Sequence, residues 1–267
     1  ASLFEKSELP YLLILQDKEE AAYYLNDLEQ LIGEEDVLFY PGSYRRPYQI
    51  EETDNASVLL RAEVLNRINS RKKPAVIVTY PEALFEKVVT RKELDKNTLK
   101  VAVGDQISID FINEVLFEYE FKRVDFITEP GEFSVRGGIL DVFSFSNENP
   151  FRIEFFGNEV DSIRTFDVET QLSIEKQKKI TIIPNVENKF FQENRESFLN
   201  YINEKTVLFI QNTELLFSKL DQLYGKAKEI FGSMQSTVNH IAPEELFLNQ
   251  EAFIKKALDF TIAEISP

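Results

Sequence analysis

The sequence predicts an α/β fold: a parallel-sheet domain interrupted by an inserted antiparallel α+β domain. Three observations carry this. Over residues 1–106, short apolar runs alternate with amphipathic stretches, the pattern of a parallel sheet covered by helices. Over 107–185, strand-favouring segments follow one another after a single helix, the mark of an antiparallel unit. Over 186–267 the helix–strand alternation returns.

Taken in order, residues 11–15 read as a buried strand. Asp17 and Glu20 then supply capping-box chemistry to a helix with apolar positions Ala21, Leu25, Leu28 and Ile32, ended by Gly33. Residues 37–40 are a second strand, stopped by Pro41-Gly42. Asp54 or Asn55 is placed to cap a helix along Val58, Leu59, Ala62, Leu65 and Ile68. Residues 75–78 are a third strand. Thr79 is expected to cap the next helix, with Pro81 in its first turn. Residues 99–103 are read as a fourth strand. In the insertion, a helix is expected over 108–119. Strands are expected over 124–128, 139–145, 151–156, 160–166 and 180–183, with Gly157-Asn158 as a hairpin turn. Beyond it, 190–202 reads as helix, 207–210 as strand and 213–231 as helix. The pattern over 242–267 fits neither class.

Composition excludes several functions. The chain has 267 residues, 43% hydrophobic and 12% aromatic, enough for two folded domains. It contains no cysteine, so disulfides and thiolate metal sites are excluded. No apolar run reaches membrane-spanning length, and no membrane partner is expected. The first residues lack a basic and then apolar leader, and no initiator Met is present. The expectation is an excised piece of a longer cytoplasmic protein. The formal net charge of −16 opposes autonomous binding to duplex DNA, which relies on lysine and arginine neutralising phosphates. Arg71-Lys72-Lys73 and Tyr44-Arg45-Arg46 are short basic clusters and read as solvated loops.

No catalytic residue and no metal ligand set is nominated. The pattern G-x-x-x-x-G-K-[ST] is absent. Gly225-Lys226 is the sole Gly-Lys pair, with Ala227 after it and Leu220 where the first glycine belongs. His240 is the single histidine and reads as structural.

The densest segment is Glu129-Pro130-Gly131-Glu132-Phe133-Ser134-Val135-Arg136-Gly137-Gly138-Ile139-Leu140-Asp141-Val142-Phe143. Paired glycines within a strand-like pattern imply a bulge or a close backbone approach that aims Arg136; a tight turn with a solvated arginine fits the local pattern equally. In Phe151-Arg152-Ile153-Glu154-Phe155-Phe156, strand alternation puts Phe151, Ile153 and Phe155 on one face. Arg152, Glu154 and Phe156 fall on the other. An arginine and a phenylalanine on a polar face have the composition of an interface hot spot. The competing reading folds Phe156 over the Gly157-Asn158 turn.

These two segments, continued by Gly157-Asn-Glu-Val-Asp-Ser-Ile-Arg-Thr-Phe-Asp167 and Glu169-Thr170-Gln171, resemble the amino-terminal region of transcription-repair coupling factors (Mfd). Tyr44-Arg45-Arg46-Pro47-Tyr48 and Val78-Thr79-Tyr80-Pro81-Glu82-Ala83-Leu84 fit the same family more loosely. The resemblance covers the whole chain and only about the first quarter of such a protein. It implies a module similar to the damage-recognition protein UvrB. That module would be an α/β domain (1–106 and 186–267) of degenerate P-loop, helicase-like type, split by a UvrA-binding domain (107–185). By motif position the implied UvrA contacts are Arg136, Arg152 and Phe156, with Gly137, Gly138 and Glu154 in support. The resemblance further implies that ATP, magnesium, double-stranded DNA and RNA polymerase belong to other parts of the parent, leaving no cofactor in this fragment. The alternative is a UvrB- or helicase-type fragment that itself binds ATP and DNA.

Overall fold

The computed structural model describes residues 1–7, 9–43, 48, 55–70, 73–186, 195–234 and 241–264. Its elements run α1 (Ser2–Ser7), β1 (Tyr11–Ile14), α2 (Lys18–Ile32), β2 (Val37–Phe39), α3 (Asn55–Ser70), β3 (Val76–Thr79), α4 (Pro81–Phe85), β4 (Val88–Val89), α5 (Arg91–Lys96) and β5 (Leu99–Ala102). They continue with α6 (Ile109–Glu118), β6 (Lys122–Arg123), β7 (Glu132–Arg136), β8 (Ile139–Val142), β9 (Phe151–Phe156), β10 (Glu159–Phe166), β11 (Ser173–Gln177) and β12 (Lys179–Ile182). The last are β13 (Arg195–Glu196), α7 (Phe198–Tyr201), β14 (Val207–Ile210), α8 (Thr213–Ser233), α9 (Pro243–Leu246), α10 (Gln250–Ala257) and β15 (Thr261–Glu264).

The chain forms two compact units, one of Ala1–Arg91 with Glu187–Pro267 and one of Lys92–Val186. The first holds a parallel sheet in the order β15-β14-β1-β3-β2. Its middle strands are buried on both faces: every residue of β3 is buried, as are Tyr11, Leu12 and Ile14 of β1. Two-sided burial is why these strands are continuously apolar in sequence. The Asp17 carboxylate accepts from the Glu20 amide at 2.9 Å and starts α2, and Gly33 ends it at φ +92°. The mixed α/β class, with a parallel sheet and separate antiparallel sheets, is as the sequence predicts.

The second unit is built on a six-stranded sheet, β11-β10-β9-β8-β7-β6. One face carries Phe133, Leu140, Val142, Phe151, Ile153, Val160 and Ile163. These pack with Ile112 and Leu116 of α6 and with Val101, Ile180 and Ile182 of the β5–β12 pair. The Ser108 hydroxyl accepts from the Phe111 amide and starts α6.

Several local expectations are corrected. The 99–103 strand pairs antiparallel with β12 rather than joining the parallel sheet, because its apolar residues serve the second unit's core. Thr79 does not cap a helix: it ends β3, its hydroxyl donates to the Tyr40 carbonyl, and Tyr80 takes the cap position before Pro81. Residues 124–128 form no strand. They are held by side chains of β7 instead, with the Thr128 amide and hydroxyl donating to Glu132 and the Ser134 hydroxyl donating to the Asp125 carbonyl. Of the helix expected over 190–202, the described residues 195–202 form β13 and then the short α7; residues 190–194 lie outside the described residues. So do His240, Arg45, Arg46, Arg71, Lys72 and Asp54. Strand β11 has no counterpart in the sequence reading, and 242–267 resolves into α9, α10 and edge strand β15.

Candidate functional site

The candidate site is the outer face of the six-stranded sheet, opposite the large core. Two hairpins of the same geometry build it. Arg136 pairs with Ile139 across Gly137-Gly138, and Phe156 pairs with Glu159 across Gly157-Asn158. In each two-residue turn the first residue is a glycine with positive φ, +60° at Gly137 and +62° at Gly157, the arrangement of a type II′ hairpin turn. Both turns lie at the same end of the sheet, since β7 and β9 run in the same direction. The register sets Arg136 level with Glu154 across Ile139, and Phe156 two residues further along β9, roughly 12 Å from Arg136 by strand spacing and rise. The paired glycines therefore make a turn, and Gly138 also makes a close backbone approach. Its carbonyl accepts from the Phe155 amide at 2.8 Å, and a Cβ there would meet the Phe155 carbonyl oxygen at 3.1 Å.

The arginines meet on one carboxylate. Cross-strand register sets Asp141 beside Arg152. Arg152 Nε donates to Asp141 Oδ1 at 2.7 Å and its Nη2 to Oδ2 at 2.9 Å, a bidentate fork. Arg136 Nη2 donates to the same Oδ2. Asp141 is 2% exposed, Arg152 15% and Arg136 41%. The carboxylate is thus sealed beneath two guanidinium groups, of which Arg136 is the more accessible.

Other groups complete the cluster. The Gln171 side-chain oxygen accepts from Arg152 Nη2 at 3.2 Å, and its carbonyl accepts from Nη1 at 3.4 Å. Arg152 lies over the buried Phe166 ring, its Cζ 4.2 Å from the centroid, and Arg136 lies over Phe126 at 5.2 Å. The hydrogen bonds to Asp141 raise the Arg152 pKa above its ordinary value, against the opposing effect of burial. Glu154 accepts from Ser162 Oγ at 2.6 Å and pairs with Arg164.

Phe156 points away from the fold and is 84% exposed, so it does not fold down over its turn. Phe126, Leu172 and Ile174 of the same unit are also exposed, at 65%, 68% and 56%. Arg136, Arg152, Glu154 and Phe156 all occupy this outer face. The two arginines are drawn together by Asp141, while Phe156 stands at the hairpin end.

Sequence reasoning did not single out Asp141, Phe126 or Gln171. The signal for Asp141 was present. It is one acid inside an apolar strand, and a two-residue turn at 137–138 fixes its register against Ser134. Nothing local marks Phe126 or Gln171, which sit on irregular segments. Among the described residues no three potential metal ligands cluster, and no helix is long and apolar enough to cross a membrane.

The second unit thus presents an exposed phenylalanine and an arginine pair on one face of its sheet, a composition suited to an interaction surface. Residues 99–188 match the family described as the UvrB interaction domain. The transcription-repair-coupling factor of Bacillus subtilis (strain 168) is 34% identical over 185 residues, which are 69% of this chain and 16% of that protein. Those of Staphylococcus aureus (strain USA300) and Escherichia coli (strain K12) are 34% identical over 186 residues and 27% identical over 184. The matches cover 15% and 16% of those proteins, so the chain spans about one sixth of the relatives it matches. These similarities support an amino-terminal, UvrB-like module of the kind found in transcription-repair-coupling factors.

Proposed function

We propose that this chain is a docking module that recruits UvrA in transcription-coupled nucleotide excision repair, through the outer sheet face of its second unit. The exposed Phe156, on the same face as an arginine pair, carries the reading. A ring at 84% exposure gains most of its buried area only when a partner covers it. Arg136 and Arg152 against one carboxylate leave one surplus positive charge on a chain of net charge −16. Such a local charge orients an encounter with an acidic surface, and the buried ring then slows dissociation.

On this reading the fragment has no catalytic step and needs no cofactor. Polymerase engagement, ATP hydrolysis with magnesium and movement on double-stranded DNA belong to the rest of a parent working in the bacterial cytoplasm. The UvrA contacts are Arg136 and Phe156 directly and Arg152 through its exposed edge, with Gly137 and Gly138 shaping the turn and Glu154 bracing Arg164.

The test is equilibrium binding of purified UvrA to the wild type and to Phe156→Ala. Loss of a hot-spot aromatic is expected to weaken binding by about 2 kcal/mol or more, roughly thirtyfold. Equal affinity for both folded proteins would refute the assignment. Labelled ATP and damaged duplex are expected not to bind the fragment; tight binding of either would favour a UvrB- or helicase-type fragment instead.

A further inference from the structure

We propose that Asp141 and Gln171 are positioning residues of this docking face, which hold the two arginines as one pre-set unit before the partner arrives. The inference rests on the UvrA-docking reading and goes beyond it, since neither residue would touch the partner.

The geometry gives Asp141 the central place. It is 2% exposed and accepts three charge-assisted hydrogen bonds, two from Arg152 and one from Arg136. A long guanidinium side chain in water samples many rotamers, and immobilising one on binding weakens affinity roughly two- to tenfold. Here that ordering is completed within the free protein. Gln171 adds the second restraint on Arg152, with both its side-chain oxygen and its carbonyl. To do so it adopts φ +59°, in the left-handed region that disfavours a side chain. The Asp167-Thr170 turn holds it there: Gln171 N donates to the Asp167 carbonyl at 2.8 Å, and Asp167 N donates to the Leu172 carbonyl at 2.9 Å. A residue kept in a strained conformation so that two of its acceptors face one guanidinium fits an orienting role.

Charge alone and positioning predict opposite signs. Asp141 neutralises one guanidinium, so if charge alone mattered, Asp141→Asn would make the face more positive and tighten binding to an acidic partner. If Asp141 positions the arginines, the same change loosens both and weakens binding. Asparagine keeps the shape but offers one acceptor oxygen, and its amide hydrogens face the guanidinium groups.

The experiment uses the whole 267-residue chain. UvrA affinity is measured for the wild type, Asp141→Asn, Asp141→Glu and Gln171→Gly, alongside side-chain NMR order of the Arg152 and Arg136 Nε–H groups in the free proteins. Asp141→Asn is expected to weaken binding about tenfold and Gln171→Gly roughly two- to tenfold. Asp141→Glu, which keeps the charge, should recover part of the loss. Gln171→Gly is the folding control, because glycine tolerates φ +59° and keeps the backbone acceptor, so its melting temperature should hold or rise while affinity falls. In the wild type Arg152 Nε–H should be rigid; Asp141→Asn should make it mobile, whereas Gln171→Gly should leave it on Asp141 Oδ1 and free only the Nη2 contact to the Gln171 side chain.

Unchanged or tighter binding by Asp141→Asn, or a wild-type Arg152 as mobile as a surface arginine, would overturn the positioning role. Failure of the wild type to bind UvrA, with Arg152 rigid and released by Asp141→Asn, would overturn the docking reading instead.

Discussion

Each unit has, among its described residues, an arginine network built on a buried carboxylate, and the contrast between the two separates structural chemistry from interface chemistry. In the first unit Arg61 pairs with Glu86 at 3.3 Å, and the two side chains are 0% and 4% exposed. Arg61 also donates to the Pro41 carbonyl at 2.8 Å and stacks over Tyr40, which stacks on Phe198 at 3.9 Å. Glu86 accepts from the Ser43 amide and hydroxyl. Nearby, the Tyr80 hydroxyl accepts from the Gly42 amide, and burial pushes its pKa up to about 12. This network ties the loop after β2 to α4 and is closed on every side. In the second unit the carboxylate is as deeply buried, but one of its arginines is 41% exposed. The same ion-pair chemistry is closed in one place and open to solvent in the other. Only the open one has a guanidinium left to offer.

The largest expected effect breaks the closed network. Arg61→Ala would remove the buried guanidinium that pairs with Glu86, and destabilisation of about 3–5 kcal/mol is expected in urea denaturation. Arg61 also fills space under Tyr40, so lost packing adds to lost charge. The affinity of the remaining folded protein for UvrA should not change. A loss below about 1 kcal/mol would mean that the Arg61–Glu86 pair is no more structural than a surface pair.

A smaller change sharpens the contrast from the other side. Arg136→Ala leaves Asp141 in its bidentate pair with Arg152. Stability should therefore move by no more than about 1 kcal/mol, because a half-exposed ion pair contributes little. UvrA affinity should nevertheless fall by roughly 2 kcal/mol, and chiefly through the association rate if steering dominates. Measuring melting and binding on the same sample decides it. A stability loss with binding intact would place Arg136 with Arg61 as a structural residue.

The contrast also explains what the sequence could tell. Strands β1 and β3 were legible because both their faces are buried, which forces a continuous apolar run. Strand β9 was legible because one face is buried and the other is not, which forces alternation. Strand β11 is the edge of its sheet, with four of its five residues exposed. Nothing then constrains Ser173-Ile-Glu-Lys-Gln177 to look like a strand. Strand β15 is likewise an edge, mostly exposed, and its residues fit no single period. At the site, Arg136 and Phe156 stood out because glycine turns follow each of them. Arg61 did not, because an arginine in an amphipathic helix reads as a solvated face unless its burial is known. Gln171 did not either, because its role depends on φ and on a partner 19 residues away in the chain.

The smallest expected effect concerns the turn that carries Gln171. The Thr170 hydroxyl and amide both donate to Asp167 Oδ1 at 2.7 Å, and these bonds lower the Asp167 pKa below its ordinary value. A depressed carboxylate stabilises the fold fully above its unfolded pKa and ceases to do so as the pH falls through the lowered folded value. The turn should therefore hold at neutral pH and loosen only below the usual aspartate range, near about 3.9. The Asp141–Arg152 fork makes no bond to the Asp167–Thr170 contact, so loosening the turn does not by itself break the arginine pair. The Thr170 amide shift, followed by NMR through acid, reports the event. A midpoint at or above the ordinary aspartate value would show that the two Thr170 bonds do not hold this turn.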